Sequence, residues 1–172
     1  MESETSLKGL GGWLILVGIG LLISPIRLGS SYIPMYYELF TDGTFDVLTD
    51  PMSDVFHPFW APLLISEAVF NTLLVLASVY LIFLFFRKSY LFPKVYIALI
   101  VTSLVFIPLD AWLGSFVLPD EPIFDQEIIT ELSRVLLSAA IWIPYMLRSE
   151  RVKLTFVEGK SVDNSDGEIV AT

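Results

Sequence analysis

Four stretches of this chain are long, apolar and almost free of charge, and they restrict the fold more than any other property of the sequence. They cover about residues 9–27, 60–86, 94–118 and 128–147. At ~1.5 Å per residue, about 20 helical residues cross a hydrocarbon core ~30 Å thick. A span in lipid must satisfy each of its backbone N–H and C=O groups internally, and a helix does so within one segment. The sequence therefore predicts an all-α integral membrane protein, a four-helix bundle forming one domain over residues 1–157. Hydrophobic residues make up 55% of the 172, and a soluble domain of this length could not hide that fraction.

The first block is read as a retained helix and not as a signal peptide. Only Lys8 is basic before it, Glu2 and Glu4 are acidic, and no small-x-small cleavage pattern follows. Gly11, Gly12, Gly18, Gly20 and Ser24 make it rich in small residues. Gly20 and Ser24, one turn apart, are expected to let a neighbouring helix approach closely. The second block, at ~1.5 Å per residue, would reach roughly 40 Å and must tilt or protrude.

Ser24-Pro25-Ile26-Arg27 is expected to end the first helix and begin a long loop. Within it Tyr32, Met35, Tyr36, Leu39 and Phe40 recur at helical spacing, Ser31 can cap and Pro34 suits a first turn. This predicts a short amphipathic helix over about residues 32–41, lying at the membrane surface. Thr41-Asp42-Gly43-Thr44 reads as a turn, residues 45–48 as a further helical turn, and Pro119-Asp120-Glu121-Pro122 as the link between the last two spans. Residues 158–172 are polar and acidic, and are expected to be a disordered cytoplasmic tail.

Charge sets the orientation. Lys8, Arg87, Lys88, Lys94, Arg148, Arg151, Lys153 and Lys160 fall on one side of a four-span topology. Arg27 stands alone on the other, with Glu38, Asp42, Asp46, Asp50, Asp54, Asp120, Glu121 and Asp125. The positive-inside rule then puts both termini in the cytoplasm. The net charge of −9 is unevenly spread, and no Lys/Arg patch is rich enough to replace the counterions of a nucleic-acid partner.

Candidate chemistry is sparse. Without cysteine there is no thiolate nucleophile and no Cys-ligated metal. His57 is the only histidine, lacks any metal-ligand spacing, and with Trp60 reads as an interfacial residue at the entrance to the second span. Ser53 and Ser66 lie in no nucleophile-elbow pattern. No catalytic activity, cofactor or metal is expected. Trp13, Trp112 and Trp142, with Tyr80, Tyr90, Tyr96 and Tyr145, are expected to form aromatic belts with some core packing.

The ionisable groups inside the blocks are Glu67, Asp110, Glu131 and Arg134, and Asn71 lies one turn from Glu67. Burying a charge at bilayer depth costs at least ~2.5–3.5 kcal/mol on insertion scales. From the outer boundary, at ~1.5 Å per residue, Glu67 lies about 8 Å in, Asp110 about 12 Å and Arg134 about 9 Å. They are expected to converge on one polar cluster with Arg134 as its cationic centre, bonded to Glu67, Asp110 or both. Three carboxylates against one arginine leave an excess of negative charge. Pro108, two residues before Asp110, is expected to loosen the third helix, and Pro144 the fourth.

Several strings together resemble a known family. They are Gly11-Gly12-Trp13-Leu14, the segment His57-Pro58-Phe59-Trp60-Ala61-Pro62, Arg87-Lys88 with Phe92-Pro93, and Ile141-Trp142-Ile143-Pro144-Tyr145 followed by Arg148 through Phe156. Over about residues 9–156 the chain resembles the bacterial inner-membrane family termed domain of unknown function 2569. The resemblance implies four helices in a bacterial cytoplasmic membrane and no particular mechanism. The leading expectation is a non-catalytic protein that binds a partner or organises the membrane, through lipids or another membrane or periplasmic protein, with oligomers possible. The alternative is a small-molecule, lipid, proton or ion-handling protein using the buried charges.

Overall fold

The structure is a computed structural model that describes residues 9–157. Lys8, Lys160 and the 158–172 tail lie outside the described residues. The helices are α1 (Trp13–Thr41), α2 (Thr44–Thr49), α3 (Trp60–Phe86), α4 (Phe92–Gly114), α5 (Gln126–Arg148) and α6 (Glu150–Thr155). Four of them, α1, α3, α4 and α5, are long and apolar enough to cross a membrane. Their outward faces carry exposed Ile, Leu, Val and Phe along most of their length, as lipid-facing helices do. The chain is a multi-pass all-helical membrane protein.

α3 covers the second apolar block, and α4 and α5 begin two residues before the third and fourth. Local chemistry explains the helix ends. Asp125 caps α5 by accepting from the Ile128 N–H at 2.8 Å, with Glu127 in the first turn and Arg148 in the last, both favourable to the helix dipole. Ser149 caps α6, accepting from the Val152 N–H at 3.4 Å. Between α1 and α2, Gly43 has φ 88°, and the Asp42 carboxylate accepts from the Thr44 N–H at 2.8 Å. That bond holds Asp42 below the usual carboxylate range.

α3 stops in a Schellman motif. Ser89 N–H reaches the Leu84 carbonyl and Lys88 N–H the Phe85 carbonyl, both at 3.0 Å. This requires Lys88 at φ 52°, the left-handed conformation that glycine adopts freely. Lys88→Gly is accordingly expected to stabilise the protein by about 1 kcal/mol. Chemical denaturation in detergent measures this, and a loss of stability would count against a strained Lys88.

The first helix departs from expectation. No loop follows Arg27, and no separate helix starts near residue 32. α1 runs unbroken through Pro25 and Pro34. Each proline removes only its own N–H bond, whereas a break in an apolar setting would strand several groups. Of the Tyr32–Phe40 stripe, expected on the membrane surface, the two tyrosines turn toward the bundle, while Met35 and Phe40 stay exposed. Tyr36 meets Asn71 of α3 and Tyr32 meets Glu131 of α5.

The helices run up and down, so Arg87, Lys88, Lys94, Arg148, Arg151 and Lys153 gather at one end, the basic end. The buried core gathers there: Leu14 and Val17 of α1, Leu84 and Phe85 of α3, Phe92 of α4, Met146 of α5, then Val152 and Phe156. The Phe92 and Phe156 rings stack at 4.6 Å, and Phe85 lies 5.2 Å from Phe92. α6 folds back onto the start of α1. The Gly9 N–H donates to Thr155 Oγ1 at 3.1 Å, and the Thr155 hydroxyl donates to the Gly9 carbonyl at 3.3 Å. A Cβ on Gly11 would sit 3.0 Å from Arg151 Nη1, so the Gly11-Gly12 pair makes room for that guanidinium.

Close approach along α1 occurs at Gly18, not at the expected Gly20. A Cβ on Gly18 would meet Phe85 Cε1 at 3.1 Å, whereas one on Gly20 meets nothing within 4 Å. Gly20 and Ser24 instead border open space facing Ser138 and Trp142 of α5. Trp13 and Trp112 are exposed, as an aromatic belt requires, whereas Trp142 and Tyr145 pack against the core.

Candidate functional site

α1 packs along α3, α3 along α4, and α4 along α5. The remaining flank, between α1 and α5, is open enough to hold cavities. A cavity of about 440 Å³ lies among the four long helices in the half away from the basic end. Its walls carry Glu67 and Asn71 from α3, Asp110 from α4, Glu131 from α5, and Arg27 and Tyr32 from α1. A second space of about 590 Å³ is walled by α1 and α5 alone, with Arg27, Tyr32, Glu127, Glu131 and Arg134 on its sides. Arg27, Tyr32, Glu127 and Glu131 face both.

The geometry follows from helical spacing. Glu67, Phe70, Asn71 and Leu74 recur at three and four residues on α3 and share one face. Ser103, Phe106, Ile107 and Asp110 do the same on α4. Between those faces the Phe70 and Phe106 rings stack with centroids 3.5 Å apart and planes at 9°, forming an aromatic wall. Pro108 sits inside α4 and cannot donate to the Leu104 carbonyl, one turn back.

Two tyrosines organise the carboxylate side. Asn71, 6% exposed, donates its Nδ2–H to Tyr36 Oη at 2.7 Å. The Tyr32 hydroxyl donates to Glu131 Oε1 at 3.3 Å. Glu67 lies within electrostatic reach of Tyr36, Asp110 and Glu131. These bonds tie α1 to α3 and α5 across the site.

The expected cluster is thus assembled in part. Glu67, Asn71, Asp110 and Glu131 share one cavity. Arg134 does not stand at its centre: it is exposed and lines only the α1–α5 space. Among the described residues neither Arg134 nor Arg27 makes an ion pair, the pair present being Lys153–Glu150. The azimuth explains this. Glu127, Ile128, Glu131 and Val135 line the cavity from one face of α5, and Arg134 lies at the edge of that face, beside Gln126 and Thr130 on the side turned to α1. Arg27, itself exposed, borders this cavity instead, from its α1 edge. Sequence reasoning puts Arg27 at a helix end, and only the continuity of α1 brings it and both tyrosines to the cavity.

His57 and Trp60 lie outside the cavity. His57 Nδ1 accepts from the Phe59 N–H at 3.3 Å, its ring stacks on Phe59 at 5.7 Å, and the Trp60 indole donates to the Val55 carbonyl at 3.3 Å. They shape the approach to α3.

The chain belongs to the family described as Protein of unknown function (DUF2569), whose model matches residues 7–157. No curated protein and no solved structure matches it. The Gly11-Gly12 string and the Arg148–Phe156 string, which carried the resemblance, meet in space where α6 covers the start of α1.

Proposed function

We propose that this protein is a non-catalytic binding protein of a bacterial cytoplasmic membrane, with both termini cytoplasmic, that holds a small cationic group of an organic ligand in its intramembrane cavity. The observation that carries the reading is the pairing state of the acids. Glu67 and Asp110 face a cavity of about 440 Å³ and make no ion pair among the described residues. That volume falls within the ~300–1,000 Å³ common for small-molecule sites. A charge at this depth needs a counter-charge, water or a function. An ammonium group would neutralise the carboxylates, and the Phe70–Phe106 wall suits an organic cation. A bare metal ion fits less well, since no three His, Asp or Glu side chains come together as a ligand set among the described residues.

The basic end supports the orientation, because Lys and Arg concentrate on the cytoplasmic side of such proteins. The carboxylate cavity then opens toward the outer half of the bilayer. Tyr32 and Tyr36 of the stripe expected to dock a partner are bonded within the bundle, which favours the cavity over that stripe as the binding site.

The test compares benzylamine with benzyl alcohol, which matches it in shape and lacks the charge. Isothermal titration of the detergent-purified protein at pH 8 is expected to give a Kd at least about tenfold tighter for the amine, ~1.4 kcal/mol. Equal binding, or none, would sink the reading.

A further inference from the structure

The α1–α5 flank carries a graded chemistry that the central cavity alone does not use. At its upper part Arg27 and Arg134 face each other across the second space, and both are exposed. One turn toward the basic end the same two helices border a third space of about 280 Å³, lined by Val17, Gly20, Leu21, Ser24, Ser138 and Trp142. Ser24 is one turn from Leu28, and Ser138 one turn from Arg134, so the apolar groove lies directly below the cationic one. Ile23 and Leu137, each one turn below an arginine, are exposed at 55% and 65%. A polar site above an apolar groove, both opening sideways, matches an amphiphile lying in a bilayer.

The charges specify the headgroup. Glu67, Asp110 and Glu131 on the cavity side call for a cation. Arg27 and Arg134 on the flank side call for an anion with several acceptor oxygens, and a guanidinium fork binds phosphate well. Glu127 also lines this space and disfavours a ligand that is only anionic. A phosphate ester bearing a primary amine satisfies both sides, with its amine inward and its phosphate at the arginines.

We infer that the ligand is an aminophospholipid that enters sideways between α1 and α5, its ammonium in the cavity that Glu67, Asp110 and Glu131 line, its phosphate at Arg27 and Arg134, and one acyl chain along the Gly20 groove. This rests on the amine reading given above. Gly20 supplies the width of the groove, and a Cβ there meets no neighbouring atom within 4 Å. A side chain can therefore start from position 20 without a clash at its Cβ, and Gly20→Phe is expected to narrow the groove.

Native mass spectrometry of the full chain in detergent tests this, with phosphatidylethanolamine and phosphatidylglycerol of matched acyl chains offered in equal amounts. The amino lipid is expected to be retained about tenfold better. Arg27→Gln with Arg134→Gln, both at exposed positions, is expected to lower its retention at least about fivefold. Gly20→Phe is expected to lower lipid retention similarly while leaving binding of soluble glycerophosphoethanolamine unchanged. Equal retention of the two lipids overturns the inference, as does an arginine pair whose loss changes nothing. Glycerophosphoethanolamine binding as tightly as the lipid, with Gly20→Phe lipid retention unaltered, points to a water-borne ester and overturns the lipid assignment. If benzylamine still binds while the lipids are not distinguished, this inference fails and the amine site stands. If benzylamine also fails to bind, both fall.

Discussion

Phe92→Ala is expected to destabilise the protein by about 3–5 kcal/mol, the range for deleting a fully buried aromatic ring. Phe92 is 0% exposed and touches Phe85, Tyr96 and Phe156. It is the first residue of α4, placed where the end of α3, the start of α4 and the segment after α6 meet. Its loss opens a void that rigid helix ends cannot close, and it detaches Phe156 and with it the cover over Gly9–Gly12. In the hydrocarbon region apolar contact has no water to escape, so helix association there depends on packing alone. At the basic end the chain packs as a soluble core does, which is why one ring matters so much. Denaturant titration in detergent measures the loss. A change below about 1 kcal/mol, in the range of ordinary surface substitutions, would show that this end is not the anchor of the bundle.

That anchor is only half legible in the sequence. The spans are legible, because long runs such as Trp60–Phe86 have no other solution in lipid. The turn at Asp42-Gly43 and the short helix after it follow from turn chemistry. The junction of Gly9–Gly12 with Thr155 does not, because a contact 146 residues apart in sequence leaves no local signature. Pro25 misleads at the boundary of α1: proline's local penalty points to a break, but the setting makes a break costlier than a lost bond. The depths of Glu67 and Asp110 come out close enough to place them in one cavity. Their cation does not, since depth follows from counting residues while azimuth depends on how each helix is rotated, and that is set by packing. Arg134 fits the cluster by height and leaves it by rotation; Arg27 is excluded only by a helix end that does not exist.

Neutralising the acids should separate binding from stability. In Glu67→Gln with Asp110→Asn, benzylamine affinity is expected to fall about a hundredfold, ~2.7 kcal/mol, because the cavity loses the charges that hold the ammonium. The ligand-free protein is expected to become more stable at pH 8, by about 1–3 kcal/mol, since each charge at this depth carries a cost on insertion scales of ~2.5–3.5 kcal/mol that cavity water relieves in part. The direction depends on what surrounds the acids. Had Arg134 bonded them, removing one side of a buried pair would cost stability, about 3–5 kcal/mol. With no ion pair at either acid among the described residues, the amide isosteres remove a cost and leave no charge stranded. The amide in Glu67→Gln also keeps one oxygen and gains an N–H, so the contact with Tyr36 survives. A binding site that disfavours its own empty state is the usual trade between function and stability. Stability and binding that fall together would show that the carboxylates hold the helices, and that the cavity is structural. Stability that rises while benzylamine binding vanishes would show that Glu67 and Asp110 are kept at a cost to the fold for the sake of a ligand.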